Sequence, residues 1–262
     1  MDLGLTGKVV LVTGGSRGIG FACAAAFMVE GAQVALVSRN EAHLKVAAAQ
    51  LHSAGDYPPV IVAADLIRAD EAGDAMLEVE RRLGPVDVLV NSAGAAKRYA
   101  PEDLDAAAWH AAMDAKYFTY IHTMDAILPG MASRGSGVVV NIIGMGGKVA
   151  TSTHLPGGAA NSALMLASVG LAQVYGPKGV RINAINPGAV LGERLDLALA
   201  LESARSGTAP EEVLDSGQKR VPLGRYAQPG DIAQVTVFLA SRQASYVTGA
   251  VIPMDGGLSA VL

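Results

Sequence analysis

Six short apolar runs recur along the 262 residues, and longer amphipathic or alanine-rich segments separate them. The runs lie at 9–12, 34–37, 60–63, 86–90, 138–143 and 182–185. Such alternation predicts strands that are connected by crossover helices. Because several runs are apolar at consecutive positions, they suit strands that helices cover on both faces. With a hydrophobic content of 51%, the chain is predicted to form one α/β domain over residues 1–262, built on a doubly wound parallel sheet flanked by helices.

Two segments near the end of the sequence complete this organisation. The run 246–257 predicts a last strand that the sequence Asp-Gly-Gly closes. Between 192 and 224 the rhythm breaks, because this segment is polar, rich in Glu and Ser, and contains a Gly-Thr-Ala-Pro turn at 207–210. Ligands of open α/β sheets bind where the C-terminal ends of the strands meet. We therefore interpret 192–224 as a mobile lid over that edge.

Composition argues against several classes of protein. The net charge of -4 and the scattered Lys and Arg residues leave no basic field for nucleic acid. Cys23 is the only cysteine and the five His are dispersed, so we expect neither a disulfide nor a metal site. The first residues lack a signal-peptide pattern, and no run approaches the roughly 18 apolar residues of a membrane span. These features predict a cytoplasmic protein that binds no membrane.

A glycine-rich turn follows the first predicted strand and opens a helix. Its sequence is Thr-Gly-Gly-Ser-Arg-Gly-Ile-Gly, at residues 13–20. Gly14 permits a tight turn, and Gly18 and Gly20 allow close approach of backbone and helix. The N-terminus of the helix offers free N–H groups and a positive dipole to a pyrophosphate. The turn predicts a dinucleotide site whose contacts here are Gly14, Ser16, Arg17, Gly18, Ile19 and Gly20.

The second strand ends in residues that bear on the choice of dinucleotide. A ribose 2′-hydroxyl favours a carboxylate acceptor at this point, whereas a 2′-phosphate favours cations. The chain has Ser38 and Arg39 there, and Arg17 could reach the same group. We therefore favour NADP(H) over NAD(H). The alternative is that both arginines are solvated charges at helix starts.

The motifs in this order resemble the short-chain dehydrogenase/reductase family. They are the glycine-rich turn, Asn-Ser-Ala-Gly at 91–94, Asn-Pro-Gly at 186–188 and the terminal Val-Thr-Gly-Ala-Val-Ile-Pro-Met-Asp-Gly-Gly. The resemblance implies a Rossmann fold assembled as a homodimer or homotetramer that acts on a small molecule. It also implies cofactor contacts, to the adenine from Asp65 and Leu66, to the ribose side from Asn91, Ala93 and Gly94, and to the nicotinamide amide from Pro187, Gly188 and Val190.

The catalytic side chains of that family have no counterpart at the matching positions. In the family, a Tyr and a Lys four residues later follow the fifth strand, and a Ser stands thirteen residues before the Tyr. These positions correspond to Gly157, Asn161 and Gly144, and no Tyr of this chain has Lys four residues after it. A fourth family residue, an Asn, corresponds to Lys116.

Other side chains could replace the missing proton donor, which typically contributes about 10²- to 10⁴-fold in rate. Lys116 could point into the vacated space and stabilise an oxyanion, or it could be a solvated or interface lysine. His154 could act as an acid at the start of a helix, or it could be a neutral structural histidine, since a helix N-terminus lowers its pKa. Lys148 is a third candidate, with surface exposure as the alternative. Asn161 could still bind the nicotinamide ribose.

Two functions are consistent with these observations. The first is an NADP(H)-dependent oxidoreductase with a non-standard active site, acting on a C=O, C=C or C=N group. In such an enzyme the proton donor lies at a different position from that of the family, or the substrate needs little acid catalysis. The second is a non-catalytic NADP(H)-binding protein, either a sensor or a partner subunit, which the loss of three catalytic groups suggests. The sequence does not identify the substrate.

Overall fold

A computed structural model describes residues 2–94 and 97–259 of the chain. Seven parallel strands form one sheet in the order β3-β2-β1-β4-β5-β6-β7. The strands are β1 (Val9–Thr13), β2 (Gln33–Ser38), β3 (Val60–Ala63), β4 (Val88–Asn91), β5 (Gly137–Ile142), β6 (Val180–Pro187) and β7 (Val251–Met254). The doubly wound parallel sheet and the six apolar runs predicted from the sequence are confirmed.

Helices cover both faces of the sheet. They are α1 (Gly18–Val29), α2 (Glu41–Leu51), α3 (Ala69–Leu83), α4 (Ala106–Ala112), α5 (Thr119–Arg134), α6 (Leu155–Tyr175), α7 (Glu193–Ser206), α8 (Pro210–Lys219) and α9 (Pro229–Ala240). A π-helical segment, Met113–Phe118, joins α4 to α5. One apolar core lies between the sheet and α1, α2 and α9, and the other lies between the sheet and α3, α5 and α6.

The strand register explains how the chain builds one functional edge. Residues alternate between the two cores along β1, since Leu11 belongs to one core and Val10 and Val12 belong to the other. All neighbouring strands pair in parallel. Their C-terminal ends therefore share one edge of the sheet. The glycine-rich turn after β1 therefore lies near the loops that follow β2, β4, β5 and β6.

Two sequence-based expectations need correction or refinement. The last strand is only Val251–Met254, shorter than the predicted 246–257, because 246–250 are turn and irregular backbone and 255–257 form a bend and a turn. The segment 192–224 contains two helices, α7 and α8, separated by Gly207 in the left-handed region and Pro210 at the start of α8. Cys23 is fully buried in an apolar core.

The sequence-based statement about membrane spans was wrong for one helix. Within the described residues, the stretch Leu155–Lys178 is long and apolar enough to cross a bilayer. Half of its most apolar window is buried inside the fold, and α6 packs against β6 and the π-helical segment. This is how the core helix of a globular domain satisfies the same criterion.

Candidate active site

The glycine-rich turn packs closely against the loop after β4. Gly14 has a φ of 66°, and a Cβ there would lie 2.8 Å from the Cα of Ala93. A Cβ on Gly20 would collide with the carbonyl oxygen of Gly14. By contrast, a Cβ on Gly18 would meet no atom of the described residues within 4 Å. The turn is thus packed on its inner side and open at the N-terminus of α1, as a pyrophosphate cradle requires.

A buried polar network holds this turn and its neighbours in place. The Thr13 hydroxyl accepts hydrogen bonds from the backbone N–H groups of Ser92 and Ala93, both at 3.1 Å. The Asn91 carboxamide oxygen accepts from the Thr123 hydroxyl at 2.8 Å, and its Nδ2 donates to Asn141 at 3.0 Å. The side chain of Asn91 therefore ties together strand ends, a role that the sequence did not predict.

Gly94 lets the loop after β4 approach the π-helical segment, since a Cβ there would collide with the carbonyl oxygen of Ala115. Ser16 and Ile19 lie in the glycine-rich turn and the first turn of α1.

The end of β2 presents an unsatisfied hydroxyl beside an exposed arginine. The Oγ of Ser38 is buried and has no hydrogen-bond partner among the described residues, and Arg39 is exposed next to it. Buried polar atoms without partners are rare in native proteins. The donor set, one hydroxyl and one guanidinium without an acid, fits a phosphate group better than a ribose hydroxyl.

Arg17 has a different partner in this structure. Its Nη1 lies 2.5 Å from Oε2 of Glu193, the first residue of α7, and both side chains are largely exposed. This ion pair connects the glycine-rich turn to the segment 192–224. A surface pair of this kind contributes at most about 1 kcal/mol, so it leaves Arg17 able to exchange partners.

The predicted adenine contacts differ in their surroundings. Asp65 accepts a hydrogen bond from the N–H of Ile67 at 3.2 Å and so shapes the loop after β3. Leu66 is only 3% exposed and its side chain belongs to the core. Leu66 can therefore face a ligand only through its backbone.

The loop after β6 is held by backbone contacts on two sides. The N–H of Gly188 donates to the carbonyl of Met254 at 2.9 Å, and Val190 forms a bridge with Ala227. A Cβ on Gly188 would lie 2.8 Å from the Cβ of Asp255. Pro187 ends β6, so this loop lies at the predicted nicotinamide end of the edge.

The loop after β5 and the start of α6 surround the positions where the family has Ser, Tyr and Lys. Gly144 has a φ of 134°, a conformation that side-chain-bearing residues rarely adopt. Its N–H donates to Asn186 Oδ1 at 3.3 Å. The Nδ2 of Asn161 would be 3.3 Å from a Cβ on Gly144. Gly157 is buried in the first turn of α6. The positive φ of Gly144 favours glycine in the loop directly after β5.

Lys116 is buried, which excludes the solvated lysine that the sequence left open. The residue is 6% exposed. Its Nζ donates to the Tyr120 hydroxyl at 2.6 Å and to the carbonyl oxygen of Ile142 at 3.0 Å. The Tyr120 hydroxyl also donates to Ile142. Burial, assisted by the positive charge of Arg194, lowers the pKa of Lys116 well below its usual value.

Tyr120 is a candidate site residue that was not predicted from the sequence. In the family pattern the Tyr comes first and the Lys four residues later, whereas here Lys116 precedes Tyr120 by four residues. Residues at this spacing share a helix face in either order, so the reversed pair was visible in the sequence. Tyr120 is fully buried and burial raises its pKa, which makes it a neutral support for the lysine.

His154 stands just before α6 and faces the loop after β5. A Cβ on Gly146 would be 3.0 Å from its Cδ2, and its Nδ1 is buried without a hydrogen-bond partner among the described residues. Burial, with the positive charges of Arg98, Arg194 and Lys116, lowers its pKa to about 4. The imidazole is therefore neutral at neutral pH, as the structural alternative predicted, and it is a poor proton source there.

Lys148 is exposed in the loop that follows β5. It lines a cavity of about 190 Å³ together with His154 and Ser162. No group of three His, Cys, Asp or Glu within residues 2–94 and 97–259 could hold a metal ion.

Comparison with known proteins identifies the family. A family model described as enoyl-(acyl carrier protein) reductase matches residues 14–259. The 2-(S)-hydroxypropyl-CoM dehydrogenase 3 of Xanthobacter autotrophicus is 35% identical over 98% of this chain and 98% of its own. The gluconate 5-dehydrogenase of Gluconobacter oxydans is 32% identical, over 98% and 97%.

Solved structures agree with the family match. The L-sorbose reductase of Gluconobacter frateurii in complex with NADPH and L-sorbose superposes with a TM-score of 0.93, at 28% identity and over 100% of both chains. An NAD⁺-bound xylitol dehydrogenase has a TM-score of 0.92, at 26% identity over 97% of this chain and 99% of its own. An NADPH-bound short-chain oxidoreductase of Pseudomonas aeruginosa PAO1, which contains an atypical catalytic center, has a TM-score of 0.87, at 28% identity over 97% and 98%.

These similarities extend over essentially the whole chain, and the relatives are dehydrogenases and reductases. The prediction of an oxidoreductase is confirmed, and the alternative of a non-catalytic binding protein gains no support from these proteins. The chain belongs to the short-chain dehydrogenase/reductase family and is an NAD(P)-dependent oxidoreductase.

Proposed function

We propose that the protein is an NADP(H)-dependent reductase of a small-molecule C=O, C=C or C=N group, with Lys116 as proton donor in a non-standard active site. The proposal rests on the burial of Lys116 and its hydrogen bond to the end of β5. The positions that correspond to the family's Ser and Tyr are Gly144 and Gly157. The relative from Pseudomonas aeruginosa, whose catalytic center is called atypical, supports departures of this kind within the fold.

The preference for NADP(H) rests on the end of β2. Ser38 offers a buried hydroxyl without a partner and Arg39 an exposed guanidinium, and these groups would hold the 2′-phosphate. Arg17 would join them when its ion pair with Glu193 opens. Of the three solved structures described above, two hold NADPH and one holds NAD⁺. The preference is therefore inferred from this chain's own cations.

The dinucleotide would lie along the edge formed by the turn after β1 and the loops after β2, β4 and β6. When bound, its reduced nicotinamide supplies hydride. Asn161, which is 5% exposed and whose Nδ2 faces Gly144, would hold ribose hydroxyls on that side. Gly188 and Val190, fixed by Met254 and Ala227, would present backbone groups to the nicotinamide amide.

Lys116 is suited to donate the proton that balances hydride addition to a carbonyl. An ammonium group has three donors, and Tyr120 and Ile142 take two of them. The third remains for an oxyanion. Because burial and the charge of Arg194 lower the pKa of Lys116, its ammonium gives up a proton more readily than an ordinary lysine does. His154, with a pKa of about 4, can donate only a hydrogen bond from its neutral ring.

The remaining expectations are that the protein works as a homodimer or homotetramer in the cytoplasm, without nucleic acid or membrane. Exposed apolar side chains on α6 support self-association: Leu166 is 76% exposed and Val174 is 57% exposed. Trp109 on α4 is 41% exposed. Large exposed apolar residues on neighbouring helices are typical of subunit contacts. The helices α7 and α8 are proposed to move as a lid over the site.

The proposal is tested by titrating the purified protein with NADPH and NADH by fluorescence, followed by a panel of ketones, enones and imines. The expected result is tighter binding of NADPH and its substrate-dependent oxidation. Binding without turnover of any substrate would instead favour the non-catalytic alternative. Tighter binding of NADH would overturn the assignment of the cations at β2.

A further inference from the structure

Two arginines and a lysine lie on the substrate side of the site, on three different elements: Arg98 in the loop after β4, Arg194 in α7 and Lys116 in the π-helical segment. Arg98 lies in the loop after β4, and its Nη1 donates to the Thr153 hydroxyl at 3.1 Å. The N–H of Tyr99 donates to the carbonyl of Thr153, also at 3.1 Å. These two bonds fix Arg98 against the loop that ends in His154. The guanidinium of Arg98 therefore lies in the neighbourhood of His154, on whose pKa its positive charge acts.

Arg194 approaches the same space from α7. Its neighbour Glu193 is paired with Arg17, which sets the first turn of α7 next to the glycine-rich turn. The charge of Arg194 acts on Lys116, Tyr120 and His154. Its side chain remains accessible to solvent, while surrounding protein desolvates the guanidinium and lowers its pKa. Arg194 is thus open to solvent and also close enough to Lys116 and His154 for its charge to act on both.

No acid balances this group within the part of the chain that the structure describes. The described ion pairs include Arg17 with Glu193, but none involves Arg98 or Arg194. The charges that act on His154 are all positive. Uncompensated cations near a concave site raise the local concentration of anions and bind them. Guanidinium groups pair with carboxylates and other oxyanions in bidentate fashion.

We infer that the substrate carries an oxyanion group, such as a carboxylate, a sulfonate or a phosphate, which Arg194 and Arg98 bind. This inference rests on the proposed reductase function and specifies its substrate class. The reducible group would lie deeper, near Lys116 and Gly144, and the oxyanion nearer to solvent. Because Arg194 belongs to α7, binding of the oxyanion would also draw the segment 192–224 over the site.

The test compares ketones that differ only in charge. Pyruvate, levulinate and 4-acetylbenzoate are each paired with the methyl ester, and 4-acetylbenzenesulfonate is paired with the neutral methyl sulfone. For each pair kcat/KM with NADPH is measured, and binding to the enzyme loaded with NADP⁺ is measured by calorimetry. We expect the anionic member to be favoured at least 10-fold in at least one pair, less so at high salt, because salt screens exposed charges.

The variant Arg194→Gln should reduce that preference to within about twofold, mainly through KM, and Arg98→Gln should reduce it partly. The matched control is Arg205→Gln, on the same helix, where Arg205 is exposed and paired only with Glu202 at 3.1 Å. This variant should keep the preference.

The inference is overturned if the neutral member is favoured in every pair, or if no member of any pair binds. It is also overturned if Arg194→Gln leaves the preference for the anionic member unchanged. NADPH affinity, measured separately, shows whether the proposed function has failed instead.

Discussion

The two ends of the functional edge are built in opposite ways. At the glycine-rich turn, backbone meets backbone, and even one added Cβ on Gly20 would collide with Gly14. At the loop after β5, small residues leave space, and the cations near it are the buried Lys116 and the exposed Arg98 and Arg194. The first region binds a constant ligand through backbone shape. In the second region the positions that correspond to the family's Ser and Tyr are Gly144 and Gly157, and we propose that Lys116 supplies the proton there and that Arg194 selects the substrate.

The largest effect is expected from removing the proposed donor. Lys116→Met should lower kcat by about 10²- to 10⁴-fold, because a positioned acid contributes that much. NADPH affinity should stay within a few fold, since Lys116 contacts only Tyr120 and Ile142 through hydrogen bonds. Steady-state kinetics and a fluorescence titration of the same preparation separate the two effects. A variant that retains wild-type kcat would show that the catalytic end does not depend on Lys116.

The next effect tests the backbone shape of the cofactor end. Gly20→Ala places a Cβ against the Gly14 carbonyl, and overpacking of this kind costs about 1–3 kcal/mol. NADPH affinity should fall about 10- to 100-fold if that cost appears on binding. Gly73→Ala is the control, because Gly73 is in α3 and a Cβ there meets nothing within 4 Å. That variant should gain up to about 1 kcal/mol in unfolding free energy. Equal NADPH affinity in both variants would contradict the packing argument.

Cofactor preference should respond next. Arg39→Asp replaces the exposed cation after β2 with an acceptor for the ribose hydroxyl, and charge-assisted hydrogen bonds contribute about 1.5–3 kcal/mol. The ratio of kcat/KM for NADPH over NADH should therefore fall about 10- to 100-fold. Arg17→Gln should change it less, because Arg17 is paired with Glu193. If only Arg17→Gln altered the ratio, the assignment of the two arginines would have to be reversed.

The smallest effect is on stability. The pKa of His154 is lowered from 6.5 to about 4 in the folded state, so the unfolded chain binds more protons between these values. Stability should therefore fall as the pH decreases from 6.5 toward 4, by at most about 3 kcal/mol. His154→Gln should reduce this slope. Urea unfolding at several pH values measures it, and parallel pH dependences in the two proteins would exclude His154 as the cause.

The sequence predicted the fold well because parallel buried strands leave a strong pattern. The runs at β1, β2 and β5 are apolar at nearly every position, and the glycine-rich turn has one dominant structural meaning. The bounds of β7 were less predictable, since Tyr246 is fully exposed and the strand starts only at Val251. The segment 192–224 was interpreted as a lid without helix bounds, because its polar composition indicates a loop as readily as a surface helix.

The catalytic end was only partly predictable. Alignment of spacing identified Lys116, His154 and Asn161, but the sequence could not decide between burial and exposure of a lysine. That depends on the fold, which places Ile142 and Tyr120 within hydrogen-bond distance of Nζ. Arg98 and Arg194 carry no motif at all. Arg98 lies in the loop after β4 and Arg194 in α7, and no local sequence pattern predicts that both charges act on His154.

The most direct test of the central claim, that Lys116 replaces the missing donor, is the pH dependence of kcat for reduction at saturating NADPH. The proton donor must be protonated, and the pKa of Lys116 is lowered by burial. We predict that kcat of the wild type falls as the pH rises through a pKa below 10.5. This descending limb of the pH profile should be absent from the residual activity of Lys116→Met. An identical descending limb in both proteins would contradict it.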